Sequence, residues 1–263
     1  MTSFSGESRT VRRSTAATID GAPLTMIVAL AAVVAVLSLI PFSAVLGIGG
    51  SFPLSQAVYP LVGWLLGPVA GALAAGVGAV VGLFVAPHTA GSLPWMRFLA
   101  AALSSFAAGT LTVEKPRRRW WLPVAALMTA VWLLYARQAM VNGIALSLVL
   151  LGSFIDWSAL LLYILPTRVW IGRALRAEAW PRVAFGLFFG TWVAAGLSHL
   201  LATTAYYLLY NWPAEVWWTL VPVMPVEHLF RAGVGAALGV GVLRGMRALG
   251  LWSRLTEKGS GEA

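Results

Sequence analysis

Long apolar runs, broken by short stretches rich in Gly, Pro and Arg, set the rhythm of this chain. Eight such runs can be marked, at 24–44, 53–66, 69–86, 94–113, 120–137, 143–166, 183–209 and 224–248. A helix needs about 20 residues to cross the hydrocarbon core. Most runs meet that length, which predicts an all-α, polytopic transmembrane bundle. The run 53–66 covers only about 21 Å at the usual helical rise. It needs shielding by neighbours, or its upstream loop must dip into the membrane. The run 120–137 is also slightly short. The pattern divides the chain into a polar tail at 1–22, a helical membrane domain at 23–250 and a second tail at 251–263.

The stretch from Leu46 to Pro68 departs from this rhythm. It has too much Gly and Pro for one regular helix and too many apolar residues for a solvated loop. It opens on Gly47–Gly50, carries the polar residues Ser51, Ser55 and Gln56, and stops at Gly67-Pro68. Irregular backbone at membrane depth is tolerated only where protein buries it or it lines a cavity. Broken apolar segments of this kind hold substrate in transporters. A plain turn followed by a short helix stays open as the alternative.

Composition agrees with a membrane setting. Hydrophobic residues make up 59% of the chain and charged residues 10%, with mean hydropathy +0.83. A soluble domain carries about 25% charged residues. Cysteine is absent, so no disulfide or thiolate chemistry is available. The net charge of +9 is topological. Arg9, Arg12 and Arg13 precede the first run. Lys115 and Arg117–Arg119 separate the fourth from the fifth. Arg168, Arg173, Arg176 and Arg182 separate the sixth from the seventh, and Arg244, Arg247, Arg254 and Lys258 end the chain. With eight crossings all four clusters fall on one side, which the positive-inside rule makes the cytoplasm, with both termini there. A prokaryotic plasma or inner membrane is the expected location. This distribution also removes nucleic acid as a partner. Trp120, Trp121, Trp170, Trp180 and Trp252 then mark the inner boundary, and Trp95, Trp212, Trp217 and Trp218 the outer one. Trp64, Trp132, Trp157 and Trp192 are read as core packing.

Small residues recur at four-residue spacing: Ala31 and Ala35; Gly71, Ala75 and Ala79; Gly186 to Ala202; and Gly233, Ala237, Gly241 and Gly245. Such stripes let helix backbones approach closely. Packing within one bundle and docking to a membrane partner are both consistent with them.

Polar groups inside apolar runs are costly and are candidates for function. Asp156 lies within the sixth run, His199 in the outer part of the seventh with Thr203 a turn further, and Glu227 and His228 at the outer start of the eighth. Glu227 and Arg231 share a helix face and can pair. Arg97 and Arg137 sit at the outer side and are read as snorkelling or salt-bridged residues. His199, Glu227 and His228 are read as pocket residues. No catalytic set is visible. HExxH and GxSxG are absent, no Walker A sequence offers a P-loop, and Ser198 and His199 diverge on adjacent helix positions. Three unpaired histidines (His88, His199, His228) do not make a metal site, so neither an enzyme nor a cofactor is implied.

The segment IPFSAVLGIGGSFPLSQAVYPLVGWLLGPVAGALAAGVGAVVGLFVAP resembles the N-terminal half of S components of energy-coupling-factor (ECF) vitamin transporters. There, an apolar helix leads through a loop to a short helix, a Gly-Pro turn and a small-residue helix. The ending VPVMPVEHLFRAGVGAALGVGVL is similar to that family's last helix. Together the two cover about half of the chain. The resemblance implies a specificity subunit that captures a vitamin-like small molecule from outside and passes it to a polytopic membrane partner driven by two ATPases. It implies that Gly49–Gln56, thus Gly49, Gly50, Ser51, Ser55 and Gln56, lid the substrate. It implies that Glu227 and His228 face the ligand, and that Ala31 and Ala35 form the partner-docking face. S components have six helices, so 120–137 and 143–166 would be an extra hairpin. A non-transporting structural subunit of a larger membrane complex, using its stripes and tryptophans for lipid, pigment or partner contacts, is the alternative.

Overall fold

The structure, a computed structural model, describes residues 17–45, 50–112 and 119–249. Gly49, the N-terminal arginines, Lys115, Arg117, Arg118, Arg254 and Lys258 lie outside the described residues. The chain is all-α apart from two short hairpins. The first pairs β1 (Thr18–Ile19) with β2 (Ala22–Pro23) around Asp20-Gly21. Both turn residues have positive φ, the conformation that tight hairpin turns require.

Helix α1 (Leu24–Leu37) stops well before residue 44. Ser38 ends it, and the chain turns into β3 (Pro41–Val45), which pairs antiparallel with β4 (Gly50–Pro53). The apolar run continues, but Pro41 has no N–H to extend a helix. Helix α2 (Ser55–Leu66) is almost wholly buried, as a 12-residue helix in a membrane must be. Gly67 then adopts φ 84° and reverses the chain into α3 (Pro68–Val85). The hairpin closes tightly: a Cβ on Gly71 would lie 2.7 Å from the Gly63 Cα. Helix α4 (Pro94–Thr112) packs on both, its Gly109 against Pro68 and its Ser105 backbone against Gly63.

Helix α5 (Trp121–Val141) is followed by a broken segment, α6 (Leu146–Gly152) and α7 (Phe154–Ile164), bent by 70°. The apolar run 143–166 thus holds two helices. The bend falls at Gly152-Ser153, where the Ser153 hydroxyl donates to the Val149 carbonyl at 2.7 Å and a flexible glycine precedes it. The arginine-rich link before the seventh run contains a further helix, α8 (Thr167–Leu175). Helices α9 (Trp180–Tyr210) and α10 (Ala214–Ala248) complete the bundle. Helix α10 begins ten residues before the expected start at 224, because Pro222 and Pro225 are accommodated inside it. Among the described residues four helices, α3, α5, α9 and α10, are long and apolar enough to cross a membrane, and the bent α6–α7 pair makes a fifth candidate.

Three of the four small-residue stripes pack inside the chain. Ala31 and Ala35 are 8% and 7% exposed, and α1 meets α3 where Gly78 lies against Ala31 and Val34. Ala31 and Ala35, which the resemblance assigns to a docking face, lie in the seam between α1 and α3. In the α9 stripe, Gly186 meets Ala174 and Gly190 meets Trp64. The α10 stripe differs. Gly233, Gly241 and Gly245 have open space where a Cβ would stand, and Ala237 is exposed beside them.

Candidate functional site

The two ends of the bundle differ chemically. At one end, the Arg176 guanidinium donates to the carbonyl of Thr112, the last residue of α4, at 2.9 Å. Arg247 of α10 donates to the Ala177 carbonyl at 3.0 Å, and Arg244 and Arg247 both lie over the Trp180 ring. Arg168 lies 3.7 Å from the Trp121 ring centroid. The described arginine clusters and the boundary tryptophans expected beside them thus meet at this basic end.

At the opposite end lies a cavity of about 150 Å³. It is bounded by the first turns of α2 and α4, the last turns of α9 and the first half of α10. Strand β4 contributes Phe52, and the 3₁₀ turn Pro87–Thr89 with the residues after it closes one side. Helices α5 and α6 add Tyr135 and Gly152. The bend at Gly152 brings its backbone against Trp217, whose ring stacks on Tyr135 at 5.4 Å between centroids. Trp217 is 1% exposed and belongs to this wall.

Two guanidinium groups reach the cavity. Arg97 is 8% exposed and was expected to snorkel. Instead it turns inward, donating to the Thr89 carbonyl at 2.8 Å, to the Thr89 hydroxyl, and to Ser38 Oγ at 3.4 Å. Ser38 Oγ lies 3.1 Å from Ser55 Oγ, which lies 3.2 Å from the Tyr59 hydroxyl. Arg231 is 5% exposed, with its guanidinium carbon 5.1 Å from the Phe52 ring centroid. Glu227 and Tyr59 are within its electrostatic reach. The Nε of each arginine is buried without a hydrogen-bond partner among the described residues. Arg137, by contrast, is exposed.

A second polar group sits on the α9 side. His199 lines the cavity, its Nδ1 2.8 Å from Asp156 Oδ1. Asp156 is 1% exposed and stands behind the histidine, outside the cavity wall. Thr203 lies 3.3 Å from the ring on its other flank. A carboxylate so placed fixes the tautomer and tilt of the imidazole. The segment from α5 to α7 is therefore structurally tied to the pocket, through Tyr135, Gly152 and Asp156.

Of the expected site residues, Gln56 and His199 line the cavity together. Pro60, one helical turn after Gln56, has no N–H to give the Gln56 carbonyl, so the helix leaves that oxygen without its usual donor. Ser55 is fully buried beneath the wall, in the hydroxyl chain that ends at Tyr59. Gly50 and Ser51 lie in β4 beside Phe52. His228 faces away from the cavity, towards α9, where its Nε2 donates to the Trp192 carbonyl at 3.1 Å. Glu227 is half-buried and lies outside the wall, one turn from Arg231. Sequence reasoning missed Arg97, Arg231, Tyr59, Tyr135 and Trp217 as wall residues. Two arginines away from every basic cluster were the available signal.

Comparison with family models, with curated proteins and with solved structures finds no match to this chain.

Proposed function

We propose that this protein is the substrate-specificity subunit of an ECF-type importer. It captures a vitamin-like small molecule in the cavity and hands it to a polytopic membrane partner served by two ATPases. The observation that carries the reading is the position of the cavity, at the end of the bundle opposite the gathered arginines. The positive-inside rule assigns the arginine end to the cytoplasm, so the cavity faces outward. In this reading α1, α2, α3, α4, α5, the α6–α7 pair, α9 and α10 give eight passes, with both termini in the cytoplasm and α8 lying along the inner surface. The β3–β4 hairpin covers the cavity through Phe52, in the place where the family's lid loop falls. Ligand pockets of this kind are concave, mostly apolar and fitted with a few convergent polar groups. Partner docking falls to the outward stripe of α10, which runs towards the basic end.

The same outward stripe suits a non-transporting structural subunit of a larger complex. Mass spectrometry on protein purified gently from its own membranes separates the two. A bound small molecule together with a polytopic partner and ATPases is the expected result. A stable, ligand-free association with an unrelated complex would select the structural subunit.

A further inference from the structure

The charge balance of the cavity bears on what it holds. Arg97 and Arg231 line it, His199 lines it, and no Asp or Glu is among the described lining residues. The nearest carboxylates do not neutralise this. Asp156 is engaged by His199 at 2.8 Å behind the wall, and Glu227, outside the wall, is within electrostatic reach of Arg231, so one carboxylate answers two guanidinium groups. A guanidinium more than nine-tenths buried is costly unless its donors are met. Arg97 is met on its outer nitrogens by Thr89 and Ser38, but its Nε is not, and neither is that of Arg231. Two buried guanidinium side chains in a cavity wall with no carboxylate among its described lining residues point to an anionic acceptor that arrives with a ligand. A planar guanidinium fork matches the two oxygens of a carboxylate or phosphate.

We infer that the cavity binds a soluble organic oxyanion, its carboxylate or phosphate held by Arg231 and Arg97 and its apolar, planar part held by the aromatic wall. The hydroxyls of Ser38, Ser55 and Tyr59 link the Arg97 side of the wall to the Arg231 side, so the two cations belong to one polar floor. Tyr135 and Trp217, stacked at 16° between ring planes, supply an aromatic part of the same wall. Phe52 lies against Arg231 and closes over the anion from the hairpin. The inference rests on the importer reading for the ligand's being cargo; the anion chemistry itself rests on the wall.

The test uses the full chain in detergent and pairs of compounds that differ in charge at one group: nicotinate with nicotinamide, benzoate with benzamide, phenyl phosphate with phenol. Thermal unfolding, followed by tryptophan fluorescence, reports binding. Acids are expected to raise the unfolding temperature and their neutral partners to leave it unchanged. Arg231→Gln is expected to weaken the acids at least tenfold, and Arg231→Lys, which keeps the charge without the fork, to fall between. Unfolding of both variants without ligand checks that they fold; should Arg231→Gln not fold, Arg231→Lys carries the comparison. Equal binding of acids and neutral partners, no binding of any acid, or wild-type affinity in both variants overturns the inference. Nanodiscs of phosphatidylglycerol and of phosphatidylcholine form the control, because protection by the anionic lipid alone would assign the site to a headgroup and overturn a soluble ligand. A neutral or cationic compound co-purified with ATPases would overturn the anion and keep the importer. Acid binding without any ATPase partner would do the reverse.

Discussion

At the scale of single residues, the His199–Asp156 pair shows how the bundle holds its polar groups. Asp156 is sealed from solvent and His199 is 13% exposed, so the pair is shielded and its 2.8 Å contact orients the ring that faces the cavity. Removing the acceptor leaves a buried donor unmet, at a cost of about 1–3 kcal/mol. Asp156→Leu is therefore expected to lower the unfolding temperature clearly, and Asp156→Asn, which keeps an acceptor oxygen, to lower it less. Equal losses in the two variants would show that the hydrogen bond is not what matters there. These residues were only partly legible in the sequence. His199 was recognisable as a polar group at membrane depth, and so was Asp156, but their pairing spans 43 positions and depends on the bend at Gly152-Ser153. Arg97 was misread because an arginine at a helix start is indistinguishable by position from a snorkelling one. Its direction is set by Thr89 and Ser38, which lie on other elements.

Helices and their contacts obey a simpler rule, and most of them could be read. Each of the eight apolar runs contains a helix, because continuous apolarity of that length has few other uses. Misplaced ends have specific causes. The run through Ser38 stays apolar but turns into a strand pair, and the two prolines of α10 look like a boundary although the helix passes through them. What the sequence could not tell was which small-residue stripe faces inward, since spacing is the same in both cases. Gly63 and Gly241 make the contrast testable. A Cβ on Gly63 would collide with the Ser105 carbonyl and press on Gly109, both backbone, so Gly63→Ala is expected to destabilise the α2–α4 contact. Overpacking of this kind costs about 1–3 kcal/mol, readable as a lower unfolding temperature in detergent. Gly241→Leu meets open space. Its unfolding is expected to match wild type, while co-purification of the proposed membrane partner falls. A wild-type yield of partner with Gly241→Leu would move the docking surface elsewhere.

For the whole molecule, the separation of a basic end from a cavity end is the organising fact, and the absence of native cysteine makes it measurable. Trp218 is 61% exposed near the cavity end, and Arg173 is exposed on α8 at the basic end. In intact cells a membrane-impermeant maleimide is expected to label Trp218→Cys, and to label Arg173→Cys only after permeabilisation. The opposite pattern would invert the orientation and turn the cavity towards the cytoplasm. Helix α10 adds a further consequence. Its 35 residues extend about 52 Å, against a hydrocarbon core of about 30 Å. In the proposed orientation, about 20 residues counted back from Leu243, just inside the terminal arginines, reach Val223 without tilt. Trp217 and Leu220 then stand at headgroup level, while Arg231 lies about 12 Å below it. In that orientation the cavity is a shaft whose rim is wetted and whose floor is walled by oil. A thicker bilayer raises the level of that oil around the rim, so acyl-chain length becomes a setting of the site's own affinity.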